Sequence, residues 1–519
     1  MSTVPEARRM STVPEARRMS SEPDAIVVGS GPNGLAAAVT LAAAGLRVLV
    51  IEGADTIGGG CRTQELTLPG FRHDVCSAAH PLAVASPFFR RFGLQERGVR
   101  FAHPEVVFAH PLDGGWAGVV TRSVSETAAR LGEDANAYRR LLGPLSAGNE
   151  LAEAVLSSMR RPPRPSRALA AFGLRGLLPA TAVARSLRTE AGRAVLAGAA
   201  AHGMLPLSSP PTGGIGLLLV ALAHSAGWPV VTGGSAGITD ALAEAVAEAG
   251  GSVETGRWVR SLSELPRARA VLLDIAPRGF VELAGDSLPS RYRDALRRFR
   301  YGAGVCKVDF ALSGAVPWAN EDARRAGTLH LGGGFDEIAT AEAEVAAGRH
   351  PESPYVLVVQ PGIADPSRAP GGKQPVWAYT HVPAGSEVDV SARVEAQIER
   401  FAPGFRDLIL AKAVRTATDE EALNPNYVGG DIAAGAQTVR QVVARPVAKW
   451  NPYRTPLRGV YLCSASTPPG PGVHGRCGEL AALTALRDVF GVRKRPDVSP
   501  ARLPGSRQSA RDSVAGGSR

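Results

Sequence analysis

Residues 24–34 read Asp24-Ala-Ile-Val-Val-Gly29-Ser-Gly31-Pro-Asn-Gly34. A short apolar run enters a G-x-G-x-x-G pattern, and a helix-forming stretch then continues to Ala44 and stops at Gly45. A second apolar run, residues 47–52, follows directly. This order predicts a compact strand–helix–strand unit at the start of an α/β domain.

The three glycines of this pattern have different tasks in such a unit. Gly29 allows the tight turn, Gly31 lets the backbone approach a pyrophosphate, and Gly34 permits close packing of helix on strand. The phosphates then lie at the helix N-terminus, where free N–H groups and the helix dipole favour negative charge. We therefore expect this loop, including Ser30 and Asn33, to bind a dinucleotide.

Glu52 ends the second apolar run, 23 residues after Gly29. A carboxylate at this place accepts hydrogen bonds from ribose hydroxyls and repels a 2′-phosphate, so the pattern favours an adenosine ribose without one. The alternative is a glycine-rich turn in an α/β unit that binds no nucleotide. Strand, helix and acid occur together here, which favours the dinucleotide.

A second glycine run, Gly58-Gly-Gly-Cys-Arg-Thr63, begins six residues after Glu52. Consecutive glycines bring backbone N–H groups against phosphate, and an Arg adds charge and a fork of donors. We expect cofactor contacts here, at Gly59, Gly60, Arg62 and Thr63.

The composition excludes several classes of protein. The chain has 519 residues, 45% of them apolar and 20% charged, as in globular proteins. Its net charge of +10 lies mostly at the ends of the chain, with +2 in residues 1–20 and +5 in residues 493–519. We therefore expect no nucleic-acid partner.

The five cysteines form no C-x-x-C pair, and no His/Cys metal cluster stands out. This pattern favours a reducing, cytoplasmic location and predicts no metal site.

The segment from Glu52 to Thr63 resembles the second FAD fingerprint of the phytoene-desaturase and amine-oxidase group of flavoproteins. The resemblance extends over residues 24–491. Residues 227–259 are similar to the central FAD segment of that group. Residues 301–312, 424–431 and 461–475 resemble the phytoene-desaturase-related subgroup in particular.

The resemblance implies a non-covalently bound FAD and further contacts to it. A backbone group near Val259 is expected to touch the adenine. The segment after residue 461 is expected to return to the first domain and present its loop to the flavin, with contacts at Ala465, Gly472 and Val473. The implied fold is α/β, a discontinuous Rossmann-type FAD-binding domain with an inserted mixed-sheet and helical substrate domain.

We divide the chain accordingly. The expected parts are a disordered leader (1–22), three pieces of the FAD-binding domain (23–110, 226–298 and 451–491), a helical cap or substrate region (111–225), a substrate domain (299–450) and a disordered basic tail (492–519).

Two residues are candidates for catalysis. Lys307 lies in a predicted strand, where the run Gly304-Val305-Cys306-Lys307 resembles the strand of flavin amine oxidases whose Lys reaches flavin N5 through a water. The alternative is a strand Lys paired with Asp309. His474 lies in the loop expected to face the isoalloxazine ring, where a cationic imidazole would stabilise a reduced flavin. The alternative is a histidine that packs the loop.

The expected function is FAD-dependent dehydrogenation or desaturation, in which a substrate C–H gives a hydride to flavin N5. The resemblance alone implies an apolar, carotenoid- or isoprenoid-like substrate.

Residues 470–475 also match G-x-G-x-x-G, but two prolines before them disfavour the strand-to-helix turn. With no separate nicotinamide domain, we expect the substrate to reduce the flavin and oxygen, a quinone or another small acceptor to reoxidise it. An amine oxidase, a redox-neutral isomerase and a non-catalytic escort for prenylated proteins remain alternatives.

Residues 159–193 carry many Arg among Leu, Ala and Phe. Basic amphipathic stretches can lie on anionic membrane surfaces, which would suit a lipid-soluble substrate. The alternative is a solvated helical cap with turns broken by proline.

Overall fold

The structure is a computed structural model, and it describes residues 22–157 and 165–502. The predicted leader therefore lies outside the described residues except for Glu22, as does the tail beyond residue 502. Part of the basic stretch 159–193 also lies outside them.

One sheet has five parallel strands in the order β16-β10-β1-β2-β9. The strands are β1 (Ala25–Val28), β2 (Val48–Ile51), β9 (Ser252–Glu254), β10 (Ala270–Leu273) and β16 (Val460–Leu462). They come from three separate stretches of the chain, so the Rossmann-type domain is discontinuous, as predicted.

Both faces of this sheet are buried, which explains why its strands are apolar throughout. Ala25 and Val27 point to a core shared with helices α1 (Pro32–Ala42), α11 (Ala236–Glu248) and α20 (Arg476–Val489). Their neighbours in β1 point to the opposite core, formed with α12 (Pro277–Ala284) and α13 (Ser290–Arg297). The alternation follows from the two-residue period of a strand.

The second sheet has seven strands in the order β15-β11-β14-β13-β12-β6-β7. They are β6 (Val106–Pro111), β7 (Ala117–Val120), β11 (Gly304–Leu312), β12 (Ala326–Leu331), β13 (Val356–Val359), β14 (Gln374–Val382) and β15 (Ile409–Arg415). Only the β6–β12 pair is parallel among the pairs of this sheet, so the sheet is mixed, as predicted.

Helices cover the second sheet and connect the lobes. One face packs on α14 (Glu321–Arg324) and α17 (Ser391–Phe401), and the other on α5 (Ala135–Leu142), α9 (Glu190–Ala201) and α10 (Thr212–Ser225). The remaining helices are α2 (Pro81–Ala85), α3 (Pro87–Phe92), α4 (Val124–Arg130), α6 (Glu150–Val155), α7 (Arg167–Phe172), α8 (Ala180–Ala184), α15 (Phe335–Ala346), α16 (Pro361–Ala364), α18 (Ala417–Leu423) and α19 (Val439–Ala444). Two short ladders join β3 (Thr63–Gln64) to β4 (His73–Asp74) and β5 (Phe101–Ala102) to β8 (Val230–Val231).

Two boundaries differ from the predicted division of the chain. Strand β6 belongs to the seven-stranded sheet, so the first lobe ends before Val106 and not at residue 110. Its partner β12 lies more than two hundred residues later in the chain, and a local pattern does not show such pairing. Residues 492–502 are not a loose tail, because Val498 is 4% exposed and packs into the core shared by α1 and α20.

Within the described residues, no helix combines the length and the apolar composition that crossing a bilayer requires.

Candidate functional site

A cavity of about 1130 Å³ connects the two sheets. At one end it is bounded by the carboxyl ends of β1 and β10, the place where open α/β sheets bind ligands. At the other end it reaches one face of the seven-stranded sheet. Most of the residues singled out from the sequence line it: Gly29, Ser30, Gly31, Asn33, Glu52, Gly59, Gly60, Arg62, Val259, Ala465, Gly472 and Val473.

The glycine loop has the close contacts expected from its sequence. Gly29 has φ +97°, and a Cβ there would lie 2.9 Å from the carbonyl oxygen of Asp274. A Cβ on Gly34 would lie 2.1 Å from the carbonyl oxygen of Gly29, so only glycine lets α1 start this close to β1. Gly31 is the N-cap of α1 and has no side chain that could cap the helix, but the carboxylate of Asp274 accepts the N–H of Gly34 in the first turn. Gly31, Pro32 and Asn33 at the amino end of α1 line the cavity.

Glu52 is fixed at the end of β2 by three donors. Its Oε2 accepts hydrogen bonds from the backbone N–H of Ser30 at 2.8 Å and from the Ser30 hydroxyl at 2.6 Å, and its Oε1 accepts the Ala54 N–H at 2.9 Å. The carboxylate still lines the cavity. Ser30 therefore positions the acid predicted to meet the ribose.

The second glycine run packs directly on the first. A Cβ on Gly59 would lie 3.2 Å from the Cα of Gly31. Arg62 is 8% exposed, and its Nε donates to the carbonyl oxygen of Gly59 at 3.0 Å. Thr63 does not line the cavity: its hydroxyl donates to Asp74 at 2.9 Å and accepts the Ala236 N–H at 3.1 Å. Thr63 thus holds α11 in place, and its predicted contact to a cofactor has no support in the geometry.

The C-terminal loop closes the cavity over the start of α1. A Cβ on Gly478 would lie 1.8 Å from the carbonyl oxygen of Asn33, so α20 packs tightly against the glycine loop. Asn33 Oδ1 and Ser464 Oγ are buried without a hydrogen-bond partner among the described residues, and both residues line the cavity. Orphaned buried polar atoms are costly. Together with the amino end of α1, where the helix dipole favours negative charge, they fit a bound group that is polar and carries phosphate.

His474 is fully buried beside this loop and does not line the cavity. Its Nε2 donates to the carbonyl oxygen of Gly470 at 3.1 Å, and its Nδ1 accepts the Arg476 N–H at 3.0 Å. Burial lowers the pKa of His474 to about 4. The cationic imidazole predicted beside the flavin is therefore replaced by a neutral ring that fixes the loop.

Lys307 is 2% exposed and forms an ion pair with Asp309 two residues along β11. Its Nζ also lies 5.4 Å from the centre of the Trp377 ring. Burial opposes ionisation of Asp309, but Lys307, His73 and Arg415 together keep its pKa below the usual value. Lys307 is not among the cavity-lining residues, so the arrangement is the paired strand lysine, and its predicted catalytic role stays a prediction.

Asp274 and His202 are among the polar groups of the cavity that were not predicted from the sequence. Asp274, at the end of β10, lines the cavity, and burial raises its pKa to about 7. His202, just after α9, lines the opposite end. Asp274 was detectable as the acid that ends an apolar run, but only the pairing of β10 with β1 brings it to the glycine loop. Nothing in the sequence around His202 indicates its position.

The N-terminal unit matches a known family. Residues 27–92 match the family described as NAD(P)-binding Rossmann-like domain. These residues belong to the Rossmann-type domain described above.

Longer similarities cover most of the chain. Pyridine nucleotide-disulfide oxidoreductase domain-containing protein 2 of Rattus norvegicus is 27% identical over 88% of this chain and 92% of that protein. The 4,4'-diapolycopen-4-al dehydrogenase of Metabacillus indicus is 31% identical, but over only 24% of this chain and 26% of its own length. The solved structure of a putrescine oxidase bound to putrescine superposes with a TM-score of 0.58 at 18% identity, covering 91% of this chain and 99% of that one. This last likeness shows the fold.

Proposed function

We propose that this chain is an FAD-dependent oxidoreductase of the phytoene-desaturase-related type, which dehydrogenates an apolar substrate. One observation carries the proposal: a single cavity joins the dinucleotide loop to an apolar, aromatic chamber on the second sheet. A cofactor bound at the loop and a substrate in the chamber would therefore share one cavity. The oxidoreductase and dehydrogenase names of the relatives support the same class.

The residues that would hold FAD follow from the cavity wall. The amino end of α1 and the second glycine run with Arg62 would take the pyrophosphate, and Glu52 would accept ribose hydroxyls. Val259 lines the wall on the same side and would meet the adenine. Ser464 and Ala465 line the cavity beyond the glycine loop and would contact the flavin end.

When bound, FAD supplies the hydride acceptor for oxidation of a substrate C–H bond. The protein contributes binding, orientation and exclusion of water. Leu218, Leu357, Val359 and Trp377 form apolar walls in the chamber. Such walls hold an apolar substrate by burial, at about 25 cal/mol per Å² of apolar surface removed from water.

We further propose oxygen, a quinone or another small molecule as the electron acceptor. All five cysteines are free thiols. This favours the reducing cytoplasm that we propose as the location and leaves the chain without a disulfide to relay electrons.

The decisive experiment is flavin binding followed by anaerobic reduction. Protein purified gently, or refolded with added FAD, should be yellow and should release FAD on denaturation, because no covalent bond holds it. Anaerobic addition of carotenoid or isoprenoid substrates should bleach the flavin band, whereas NADPH alone should not. Colourless protein that takes up no added FAD would refute the proposal and would favour a non-catalytic escort.

Product analysis separates the remaining alternatives. Dehydrogenation lowers the product mass by two hydrogens for each double bond formed and requires a stoichiometric acceptor. A redox-neutral isomerase would give an unchanged mass and would turn over without an acceptor. Bleaching by amines together with formation of an aldehyde would instead indicate an amine oxidase.

We also propose peripheral contact with membranes, supported by the mouth of the cavity. Leu177, Val442 and Val443 line the cavity and are 53%, 42% and 58% exposed, and Arg440 on the same helix as the two valines is also exposed. Apolar side chains beside basic ones are typical of interfacial binding to anionic lipid. Vesicles rich in phosphatidylserine should therefore carry the protein upward in flotation, and Val443→Asp should reduce this. Absence of flotation would contradict the membrane proposal alone.

A further inference from the structure

The chamber end of the cavity contains a pair of histidines. His202 lines the cavity, and its Nε2 lies 3.0 Å from the Nε2 of His330, which is fully buried in β12. Three aromatic rings enclose His330, with centroids 5.0 Å (Phe108), 5.7 Å (Trp228) and 6.1 Å (Tyr355) away. His330 is therefore a fixed partner that orients His202.

Both imidazoles are neutral at pH 7. Burial lowers the pKa of His202 to about 3 and that of His330 well below its ordinary value. The other titratable groups that face the pair are His110, whose Nε2 donates to the carbonyl oxygen of Gly333, and His381, whose Nδ1 bonds to Glu342. Two neutral rings that meet through Nε2 share one proton, so one ring donates and the other accepts.

The other ring nitrogen of His330 indicates which of the two histidines donates in this hydrogen bond. The Nδ1 of His330 is buried without a partner among the described residues. An orphaned N–H is rarer in protein interiors than an orphaned acceptor, so His330 carries its hydrogen on Nε2 and donates to His202. His202 then carries its own hydrogen on Nδ1. Within residues 22–157 and 165–502, no group accepts that hydrogen.

Tyr379 provides a second donor to the same chamber. It lines the cavity, and its hydroxyl makes no hydrogen bond to another described residue. Burial raises the pKa of Tyr379, so the hydroxyl stays protonated. In the sheet, Leu357 of β13 lies in register between His330 and Tyr379, so the histidine that orients His202 and the tyrosine flank an apolar side chain on one face.

We propose that this end of the cavity is a subsite for an uncharged oxygen acceptor, such as a carbonyl, on an otherwise apolar substrate. The inference rests on the proposed function and specifies its substrate class. His202 Nδ1–H and the Tyr379 hydroxyl donate to the oxygen, while Leu357, Val359 and Trp228 contact the adjacent carbon chain. All charged residues that line the cavity in the described part of the chain belong to the dinucleotide end or its rim: Glu52, Arg62, Arg257, Arg260, Asp274, Arg278 and Glu282. Neither a carboxylate nor an ammonium group would therefore find a charged partner in the chamber.

Intrinsic fluorescence can test this subsite, because Trp228 and Trp377 line the chamber itself. The probes are 2-pentadecanone, pentadecane, pentadecylamine and pentadecanoate, titrated into the full-length protein. The ketone should bind about tenfold more tightly than the alkane, as expected for two net hydrogen bonds, and more tightly than the amine or the carboxylate.

Variants assign the preference to the histidine. His202→Leu should reduce the ketone-to-alkane preference to about threefold or less, whereas His202→Asn should keep most of it, because its amide N–H₂ lies near the position of Nδ1. Leu331→Met, a volume-conserving change on the face of β12 that points away from the cavity, should leave the preference unchanged. Tyr379→Phe should lower it independently, which keeps the test valid if His202→Leu does not fold.

Equal binding of ketone and alkane, tighter binding of the amine or carboxylate, or an unchanged preference in both His202→Leu and Tyr379→Phe would overturn the proposal. The measurement does not need the flavin. Protein that prefers the ketone to the alkane but takes up no FAD would refute the proposed function and leave the subsite standing. Protein that is yellow but shows no such preference would refute the subsite and leave the proposed function standing.

Discussion

The carboxylate of Asp274 accepts the backbone N–H of Gly34 at 2.8 Å, although 240 residues separate the two in sequence. This places an acid at the amino end of α1, where the pyrophosphate of a dinucleotide is expected. A Cβ on Gly31 would lie 2.8 Å from the same carboxylate oxygen. Burial, followed by the neighbouring charge of Glu52, raises the pKa of Asp274 to about 7, while the Gly34 N–H opposes the shift.

This shift predicts a pH dependence of stability without cofactor. The folded-state pKa of about 7 lies above the unfolded value of about 3.9, so folding favours the protonated carboxyl. Its contribution is complete below about pH 4 and is lost as pH rises through 7. Relative to Asp274→Asn, which cannot titrate, the wild-type free energy of unfolding should fall by up to roughly 4 kcal/mol from pH 4 to pH 8. Urea unfolding of both proteins across this range measures it, and parallel curves would contradict the assignment.

Cofactor binding should depend on the same proton. A pyrophosphate at α1 disfavours a second negative charge beside it, so FAD should bind more tightly when Asp274 is protonated. We expect the wild-type Kd for FAD to rise at least fivefold from pH 6 to pH 8.5, and that of Asp274→Asn to change less than twofold. Fluorescence titration of the apoprotein gives both values. Glu52→Gln is a useful comparison, since it removes the charge that helps to raise the Asp274 pKa.

Gly34→Ala should prevent proper formation of the cofactor loop. The new methyl would lie 2.1 Å from the carbonyl oxygen of Gly29, which is main chain and cannot rotate away. Overpacking of this kind costs about 1–3 kcal/mol or more. We expect a lower urea midpoint and little bound flavin. Gly314→Ala is the matched control, because a Cβ there meets nothing within 4 Å, and it should retain both properties.

The Lys307–Asp309 pair should behave as a buried structural unit. Lys307→Met or Asp309→Asn alone leaves one buried charge without its partner, and we expect each to cost about 3–5 kcal/mol. The double variant should recover part of that loss, giving a coupling of about 1–3 kcal/mol in a double-mutant cycle of urea unfolding. His73 and Arg415 also face Asp309, so recovery should be incomplete. Additive losses would show that the two side chains act independently.

His474→Asn should destabilise the loop without changing the pH profile of flavin reduction. Replacing the ring breaks at least one of its two hydrogen bonds to backbone, at a cost of about 1–3 kcal/mol. The pKa of about 4 keeps the wild-type imidazole neutral from pH 5 to pH 8, so no ionisation is lost in that range. The thermal midpoint should fall while the pH profile keeps its shape. A profile that loses an inflection near neutral pH would restore the cationic role predicted from the sequence.

Local patterns predicted the α/β unit at the start of the chain, because a strand, a turn and a helix adjacent in sequence need no distant partner. Gly29, Gly31, Gly34 and Glu52 all follow from this adjacency, and the structure places them as expected. The lobe boundary near residue 110 was wrong for the opposite reason: β6 pairs with a strand more than two hundred residues away.

The amino-acid sequence by itself determined the glycine loop between β1 and α1, the α/β fold class and the low net charge of the chain between its basic ends. Only the tertiary structure decided which polar groups share the cavity. Asp274 reaches Gly34 because β10 pairs with β1, and His202 reaches His330, 128 residues later, because α9 packs on the second sheet. Tertiary packing also buries His474 in the loop before α20 and Lys307 beside Asp309 in β11. Burial and charge pairing depend on three-dimensional neighbours, and these set the protonation of each group and hence the chemistry it can perform.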